Sequence, residues 1–368
     1  MKTKLISIAQ NKITRLLTLA IIASFIFHAC MKEVDFDEGV LESKLVVNGF
    51  VCADSTIKVQ LAISKPIPGV EKSTEWVDDA IIKLFIDGEF AEELQNYELT
   101  YDDDNGDNYY YRYETPTSEY RSTQTIAKTG KTYKIEVEHP DFDNISAETT
   151  IPEAVTIDSL QSEIKETTEY GYTEFRRFFH VKFTDPGSIN NYYRLSYSET
   201  SGRPDDYYWN PETEDYEIND SITIVNVYSD NNSYISTDDP LLVGEDDADD
   251  FLFMDAGNDY NLFTDDLING QTYELSFYSY NYNRHSEELE KGEFYKNTVQ
   301  LISLSKEAFL YIKSSYEHWW YDEEFLTEPV QVYTNINNGL GIFAGYSIDE
   351  FSFMEGEYPV DSVEYIYH

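Results

Sequence analysis

The feature that most restricts what this chain can fold into is alternation with a period of two. Ile57, Val59, Leu61 and Ile63 alternate with Lys58, Gln60 and Ala62. Ala80, Ile82, Leu84 and Ile86 repeat the device and stop at Asp87-Gly88, a hairpin-turn dipeptide. Tyr133, Ile135 and Val137 do so again. Such a segment gathers its apolar side chains on one face only as a strand. Leu45-Val46-Val47, Tyr109 to Tyr113 and Ser146 to Ile151 add further short strands before Pro152. About six or seven strands with turn signals between them predict a β-sandwich of immunoglobulin or carboxypeptidase-regulatory type over residues 44–152. The charged residues of these strands are assigned to their solvated face.

Ile151-Pro152-Glu153 reads as a junction, because proline cannot continue a central strand. Alternation then resumes in Phe179, Val181 and Phe183, in Tyr193, Leu195 and Tyr197, and in Tyr273, Leu275 and Phe277. Gln300, Ile302 and Leu304 share one face, and Phe351 with Phe353 another. The expected class is all-β, the sandwich being followed by a larger β-rich domain, 153–368, with one helix. Residues 198–266 are polar and read as a long insertion holding one hairpin near Ile222 to Tyr228. The helix is placed at 306–319. Ser305 caps it, Glu307 favours its positive end, and neither Gly nor Pro interrupts it. Phe309, Ile312, Tyr316 and Trp319 fall on one helical face, expected to pack on a sheet. The alternative leaves Trp319, Trp320 and Tyr321 exposed to grip a partner or a sugar ring.

The chain opens with Lys2, Lys4, Lys12 and Arg15, then the apolar run Leu16 to Ala29, then Cys30. A basic start, an apolar stretch and a small residue at the cut make residues 1–29 a signal peptide. A cysteine just after the cut makes it a lipoprotein signal, with Cys30 carrying the lipid. The alternatives are an uncleaved membrane anchor or an ordinary signal peptide. Residues 30–43 read as an acidic tether. Lys32-Glu33 followed by Asp35, Asp37 and Glu38 suits either an export signal to the cell surface or a solvated linker.

Lys and Arg number 26 and Asp and Glu 70, a formal net charge of −44. Such a surface repels nucleic-acid phosphates and acidic lipid alike, so no nucleic-acid partner is expected and lipid must hold the protein at a membrane. The 32 Tyr and 21 Phe separate it from disordered acidic chains. With Cys30 lipidated, Cys52 has no partner within the chain and is expected as a small buried residue, a lone thiol being the alternative.

Motifs for catalysis are sparse. Asp102, Asp104 and Asp107 invite a calcium reading, but aligning Gly106 with the turn glycine of an EF-hand puts Tyr101 and Arg112 at ligand positions. An acidic hairpin tip is the simpler reading, and a loose calcium site the alternative. The acidic run Gly244 to Asp250 is read likewise as solvated charge. No zinc-spaced histidines, nucleophile elbow, phosphate loop or dinucleotide fingerprint occurs in the sequence. No catalytic residue, metal or cofactor beyond the covalent lipid is therefore assigned.

Several stretches in order carry a family likeness: Lys44 to Phe50, Phe183-Thr-Asp185 with Asn191 to Leu195, Leu262 to Asp266 with Asn269-Gly270, and Glu328 to Tyr333 leading to Asn335-Ile-Asn-Asn-Gly-Leu-Gly-Ile-Phe343. Thr149-Thr-Ile-Pro152 sits between the first two. This order resembles the Bacteroidota lipoprotein family catalogued as domain of unknown function 4249. The resemblance implies an outer-membrane lipoprotein, exposed at the cell surface, that partners a TonB-dependent receptor, with no established catalytic residues. The Asn335–Phe343 stretch reads as a strand–turn–strand fixing the core of the second domain. The expected function is a non-enzymatic, ligand-binding or assembly subunit of an uptake system. A surface adhesin and a cryptic hydrolase are the alternatives.

Overall fold

The alternating segments of the first part form β1 (Leu45–Cys52), β2 (Thr56–Ile63), β3 (Glu75–Trp76), β4 (Ile81–Ile86), β5 (Glu89–Glu93), β6 (Gln95–Glu98), β7 (Ser118–Ile126), β8 (Thr132–His139) and β9 (Phe142–Thr150). Beyond Pro152 follow β10 (Ile157–Glu169), β11 (Tyr172–Thr184), β12 (Tyr192–Pro204), β13 (Tyr207–Asn210), β14 (Asp215–Ile218), β15 (Ile224–Asp230), β16 (Ile235–Ser236), β17 (Leu262–Thr264), β18 (Thr272–Tyr280), β19 (Phe294–Leu304), α1 (Lys306–Tyr321), β20 (Leu340–Gly356) and β21 (Glu364–Tyr367). These come from a computed structural model, which describes residues 42–65, 74–99, 118–169, 172–187, 189–204, 207–210, 215–218, 224–230, 235–243, 260–280, 289, 293–321, 330–356 and 364–367. The protein is all-β apart from α1 among these residues.

One long sheet organises the body, in the order β21-β15-β12-β19-β20-β1-β2-β7-β6, with β17 against β12 and β3 against β2. Its centre is the parallel pairing of β1 with β20, from Val46↔Leu340 to Cys52↔Tyr346. Segments 44–152 and 153–368, expected as successive domains, therefore share a sheet within one compact unit, Ser43–His368. Each segment has its own core on the same side of that sheet. The sheet β5-β4-β8-β9 packs Ile82, Leu84, Ile135, Val137 and Ile145 against Leu45, Val47, Val59 and Leu61. The sheet β10-β11-β18-β16 packs Phe179, Val181, Phe183 and Phe277 against Tyr193, Leu195, Val299 and Leu301. On the opposite face α1 covers Ile302, Leu304, Ile342 and Ala344. Alternation explains the division: in β19 and β20 odd-numbered side chains face the two sheets and even-numbered ones the helix.

The β4–β5 hairpin turns at Asp87 and Gly88 with φ of 51° and 85°, the primed geometry expected of that dipeptide. Where the sequence suggests a hairpin near Ile222, the chain instead places β15 against β12 and, in parallel, β21. The expected strand at Tyr109 to Tyr113 lies outside the described residues. β5, β6 and β7 have little apolar alternation, which hides them in the sequence.

Asn335 to Phe343 does other work than expected. Ile336 and Phe343 lie in the core of the first segment, not the second. Residues 330–336 form no strand. Instead the Asn335 amide replaces ladder bonds: its Oδ1 accepts from the Phe343 N–H (3.0 Å) and its Nδ2 donates to the carbonyls of Phe343 (2.7 Å) and Glu148 (3.2 Å). Asn337 bridges to Ser146. Gly341 has φ of +91°, and a Cβ there would sit 2.0 Å from the Val47 carbonyl oxygen. Only glycine lets β20 lie against β1 at this point.

Not every acid is on a solvated face. Glu92 and Glu119 are buried at 7% and 6% exposure. β7 bulges between Arg121 and Ile126 against β2, and the bulge exposes backbone donors. The Glu92 carboxylate accepts the N–H groups of Thr123 (2.8 Å), Gln124 (3.2 Å) and Thr125 (2.7 Å) and the Thr123 hydroxyl (2.9 Å). Burial alone pushes its pKa up, but the bonds from Thr125 and Thr123 outweigh it and bring it down to about 2.

Two outcomes are expected. Gly341→Ala, which adds strain and a backbone clash, lowers the urea-unfolding free energy by roughly 2–4 kcal/mol, whereas Gly88→Ala, with φ of +85° but open space, costs about 1 kcal/mol. Glu92 contributes stability fully present above about pH 4.5, its ordinary pKa, and lost as pH falls toward about 2. Glu92→Ala costs about 1–3 kcal/mol at neutral pH. Urea midpoints measured from pH 6 down to pH 2 converge for native and variant protein.

Candidate functional site

The even-numbered face of the long sheet and the underside of α1 border the site, which is open on one side. Ser305 sets the helix: its Oγ accepts the Ala308 N–H (3.2 Å), and its own N–H donates to the Gly345 carbonyl (2.8 Å), so the cap is tied to β20. Phe309 packs on Tyr192 with ring centroids 5.1 Å apart, Tyr311 meets Phe50 edge-on at 6.0 Å, and Tyr316 meets Tyr260 edge-on at 4.6 Å. Farther along, Ser314 Oγ accepts the Tyr333 N–H (2.8 Å) and His318 Nδ1 lies 2.7 Å from the Val330 carbonyl. The helix is thus tied to the sheet at its first turn and to the 330–333 segment farther along.

Between those ties lies a cavity of about 650 Å³. That is within the usual range for small-molecule sites. Arg194, Ser196, Gln300, Ile302, Leu304, Tyr346 and Ile348 form its floor. Tyr311, Ile312 and Ser315 form its roof, with Phe50 and Tyr260 at the sides. Strand register orders the floor into rows. Tyr192, Leu304 and Tyr346 lie abreast; then Arg194, Ile302 and Ile348; then Ser196, Gln300 and Glu350. Successive rows are about 7 Å apart. The floor therefore grades from aromatic and aliphatic to polar along the strands.

Among the described residues that line it Arg194 is a cation, and Glu350 stands at the end of the polar row. The Arg194 Nε donates to the Tyr260 carbonyl (3.2 Å), and its guanidinium carbon stands 5.7 Å from the Tyr260 ring centroid. Burial lowers its pKa from the usual arginine value, yet a guanidinium stays charged at neutral pH. Burial first, and then the neighbouring Cys52 thiol, push the Tyr346 phenol up to about 12. Cys52 itself is a free, half-buried thiol rather than a core residue, its pKa raised by burial despite a hydrogen bond to Tyr346. Ser315 Oγ is buried and has no hydrogen-bond partner among the described residues. A helical serine ordinarily bonds back to its own helix.

The aromatic run at the end of α1 is split. Phe309, Ile312 and Tyr316 pack inward as the periodicity predicts, but Trp319 is 66% exposed. Trp320 and Tyr321 extend the helix two residues past the expected end, and their side chains are outside the described residues. Cys30 and the calcium candidates Asp102, Asp104 and Asp107 are also outside them. Among the described residues, no group of three or more His, Cys, Asp or Glu is arranged to hold a metal.

Two further clusters were hidden in the sequence. On the outer face of the β10-β11-β18-β16 sheet, His180 Nδ1 lies 2.9 Å from Ser276 Oγ, while its Nε2 is 3.7 Å from Glu163. The carboxylate is too far for a hydrogen bond, and a strand face offers no convergent backbone donors for an oxyanion. The second cluster joins three separated stretches. Asp185, 2% exposed, accepts from the Tyr193 hydroxyl (2.5 Å), the Gly270 N–H (2.8 Å) and Asn191 Nδ2 (3.2 Å). Asp265 accepts from Asn269 Nδ2 (3.0 Å) and Asn191 Nδ2 (3.4 Å). Burial, then the charge of Asp185, push the Tyr193 phenol well above its ordinary pKa. This node holds β12, β17 and the turn before β18 together; it does not open on the cavity lining.

Asp185→Ala, which leaves the Gly270 N–H and Tyr193 hydroxyl unpaired, is expected to cost about 2–5 kcal/mol in urea unfolding. Asp185→Asn, which keeps the acceptor oxygen, costs less.

A family model described as Domain of unknown function (DUF4249) matches residues 31–352. No curated protein matches the chain.

Proposed function

The chain belongs to the family of domain of unknown function 4249, and on that premise we propose that it is a lipid-anchored, non-enzymatic outer-membrane lipoprotein that holds a ligand for a TonB-dependent uptake channel. The single observation that carries this reading is the cavity between α1 and the long sheet. It is concave, walled by rings and aliphatic chains, and supplied with a few polar groups, as ligand sites are. The leader ending at Cys30 supports the lipid anchor. A chain of formal charge −44 needs lipid rather than charge to stay at a membrane. Confinement to that surface raises its effective concentration beside a membrane channel.

The exposed Trp319 favours a second reading, a surface adhesin that uses the end of α1 to grip a partner. The two readings separate by experiment. In the first, the native protein extracted in mild detergent co-purifies with a TonB-dependent channel identified by mass spectrometry. Cys30→Ser moves it to the soluble fraction and abolishes that recovery. Deletion of the protein then lowers uptake. Recovery without any such channel, or deletion that changes attachment but not uptake, overturns it in favour of the adhesin.

A further inference from the structure

The polar end of the cavity floor is built from two neutral side chains set side by side. Ser196 on β12 and Gln300 on β19 are register partners, and both line the cavity. Residues directly opposite on antiparallel strands stand about 5 Å apart at Cβ. Gln300 is half used. Its Nε2 donates to Glu350 (3.0 Å), and because that partner is a carboxylate, the other end of the amide is the oxygen. Oε1 is thus an acceptor with no partner among the described residues. The Ser196 hydroxyl both donates and accepts. Arg194, in the next row, is engaged by the Tyr260 carbonyl and ring, so no part of a ligand is assigned to it. Beyond it the walls turn apolar: Ile302, Leu304 and Tyr346 on the floor, Tyr311 and Ile312 on the roof, Phe50 at the side. The polar pair and the Leu304–Tyr346 row are two rows apart, roughly 14 Å along the strands.

We propose that the cavity binds an uncharged small molecule with two adjacent hydroxyls on an apolar or aromatic body, the hydroxyls against Gln300 Oε1 and Ser196 Oγ and the body among Ile302, Leu304, Ile312 and Tyr346. The inference rests on reading the cavity as a ligand site and goes on to name the ligand's chemistry. An amide oxygen only accepts, so the ligand must bring it a donor. A serine hydroxyl takes either role, so the group it meets is served best when it too can do both. Neighbouring hydroxyls satisfy both conditions, and their spacing suits two side chains that stand abreast. A carboxylate would set acceptor against acceptor at Gln300. An ammonium could donate there but offers the Ser196 proton no lone pair. The body supplies affinity through buried area. The pair supplies discrimination, because an acceptor desolvated without a donor costs free energy.

The test is calorimetric titration of the purified full chain, held in lauryldimethylamine oxide because that detergent has no hydroxyls. Three probes share one ring: 3-phenoxy-1,2-propanediol, ethoxybenzene, which lacks the hydroxyls, and 3-phenoxypropylamine, which replaces them with a charge. The diol is expected to bind about tenfold more tightly than ethoxybenzene, and more tightly than the amine. Gln300→Leu, which keeps the side-chain shape and removes the acceptor, weakens the diol about fivefold and leaves ethoxybenzene unchanged. Ser196→Ala weakens the diol about threefold, and carries the test if the leucine variant fails to fold by near-ultraviolet circular dichroism. Ile312→Trp, which fills the apolar space, weakens all three probes. Ethoxybenzene or the amine binding as tightly as the diol, or a diol preference indifferent to both Gln300→Leu and Ser196→Ala, overturns diol recognition; if Ile312→Trp still weakens binding, the cavity remains a ligand site. Failure of every probe to bind, or binding indifferent to Ile312→Trp, overturns the cavity reading as well.

Discussion

The parallel ladder between β1 and β20 is the constraint on which the remainder depends. Its partners are nearly three hundred residues apart in sequence, Val46 opposite Leu340 and Cys52 opposite Tyr346. Closing so long a loop costs entropy before any contact repays it. What repays it is that β20 serves three surfaces at once. Phe343 enters the core of the first segment, Phe353 packs against that of the second, and Ile342 and Ala344 lie under the helix. Parallel pairs require cover on both faces. The smaller sheets cover one, and α1 covers the other. The helix is therefore no appendage to an all-β protein; without it the middle of the sheet would present apolar side chains to water.

This constraint is enforced by polar side chains that take over backbone bonding wherever the chain is irregular. Asn335 stands in for a missing strand partner of Phe343, Glu92 collects the donors of the β7 bulge, and Asp185 fixes the turn at Gly270. In a chain this acidic, these buried carboxylates are held by N–H and O–H donors rather than by cations. Arg177 differs. It is 1% exposed and reaches across the second core to Glu355 through two bonds of 2.7 and 2.6 Å, while its Nε and Asn297 Nδ2 find no partner among the described residues. With Arg177 buried, its donors partly unsatisfied and Glu355 31% exposed, the pair adds little net stability over a well-packed apolar substitute.

Class and helix were legible in the sequence because each has a period: two for Ile57 to Ile63 and for Ile82 to Ile86, and 3.6 for Phe309, Ile312 and Tyr316. The Ser305 cap was legible because its chemistry is local. Glu92 was not, since Glu89-Phe90-Ala91-Glu92-Glu93 shows no more than a charged strand and its donors lie thirty residues away in a bulge. The role of Asn335 to Phe343 was misjudged for the same reason: its turn chemistry is local, but the strands it joins, β9 and β1, belong to the other end of the chain. Trp319 shows the limit of periodicity, which says which side chains share a face but not where the covered surface ends. The cavity needed the register of three strands to place Arg194, Ile302 and Ile348 abreast, and register is a long-range quantity.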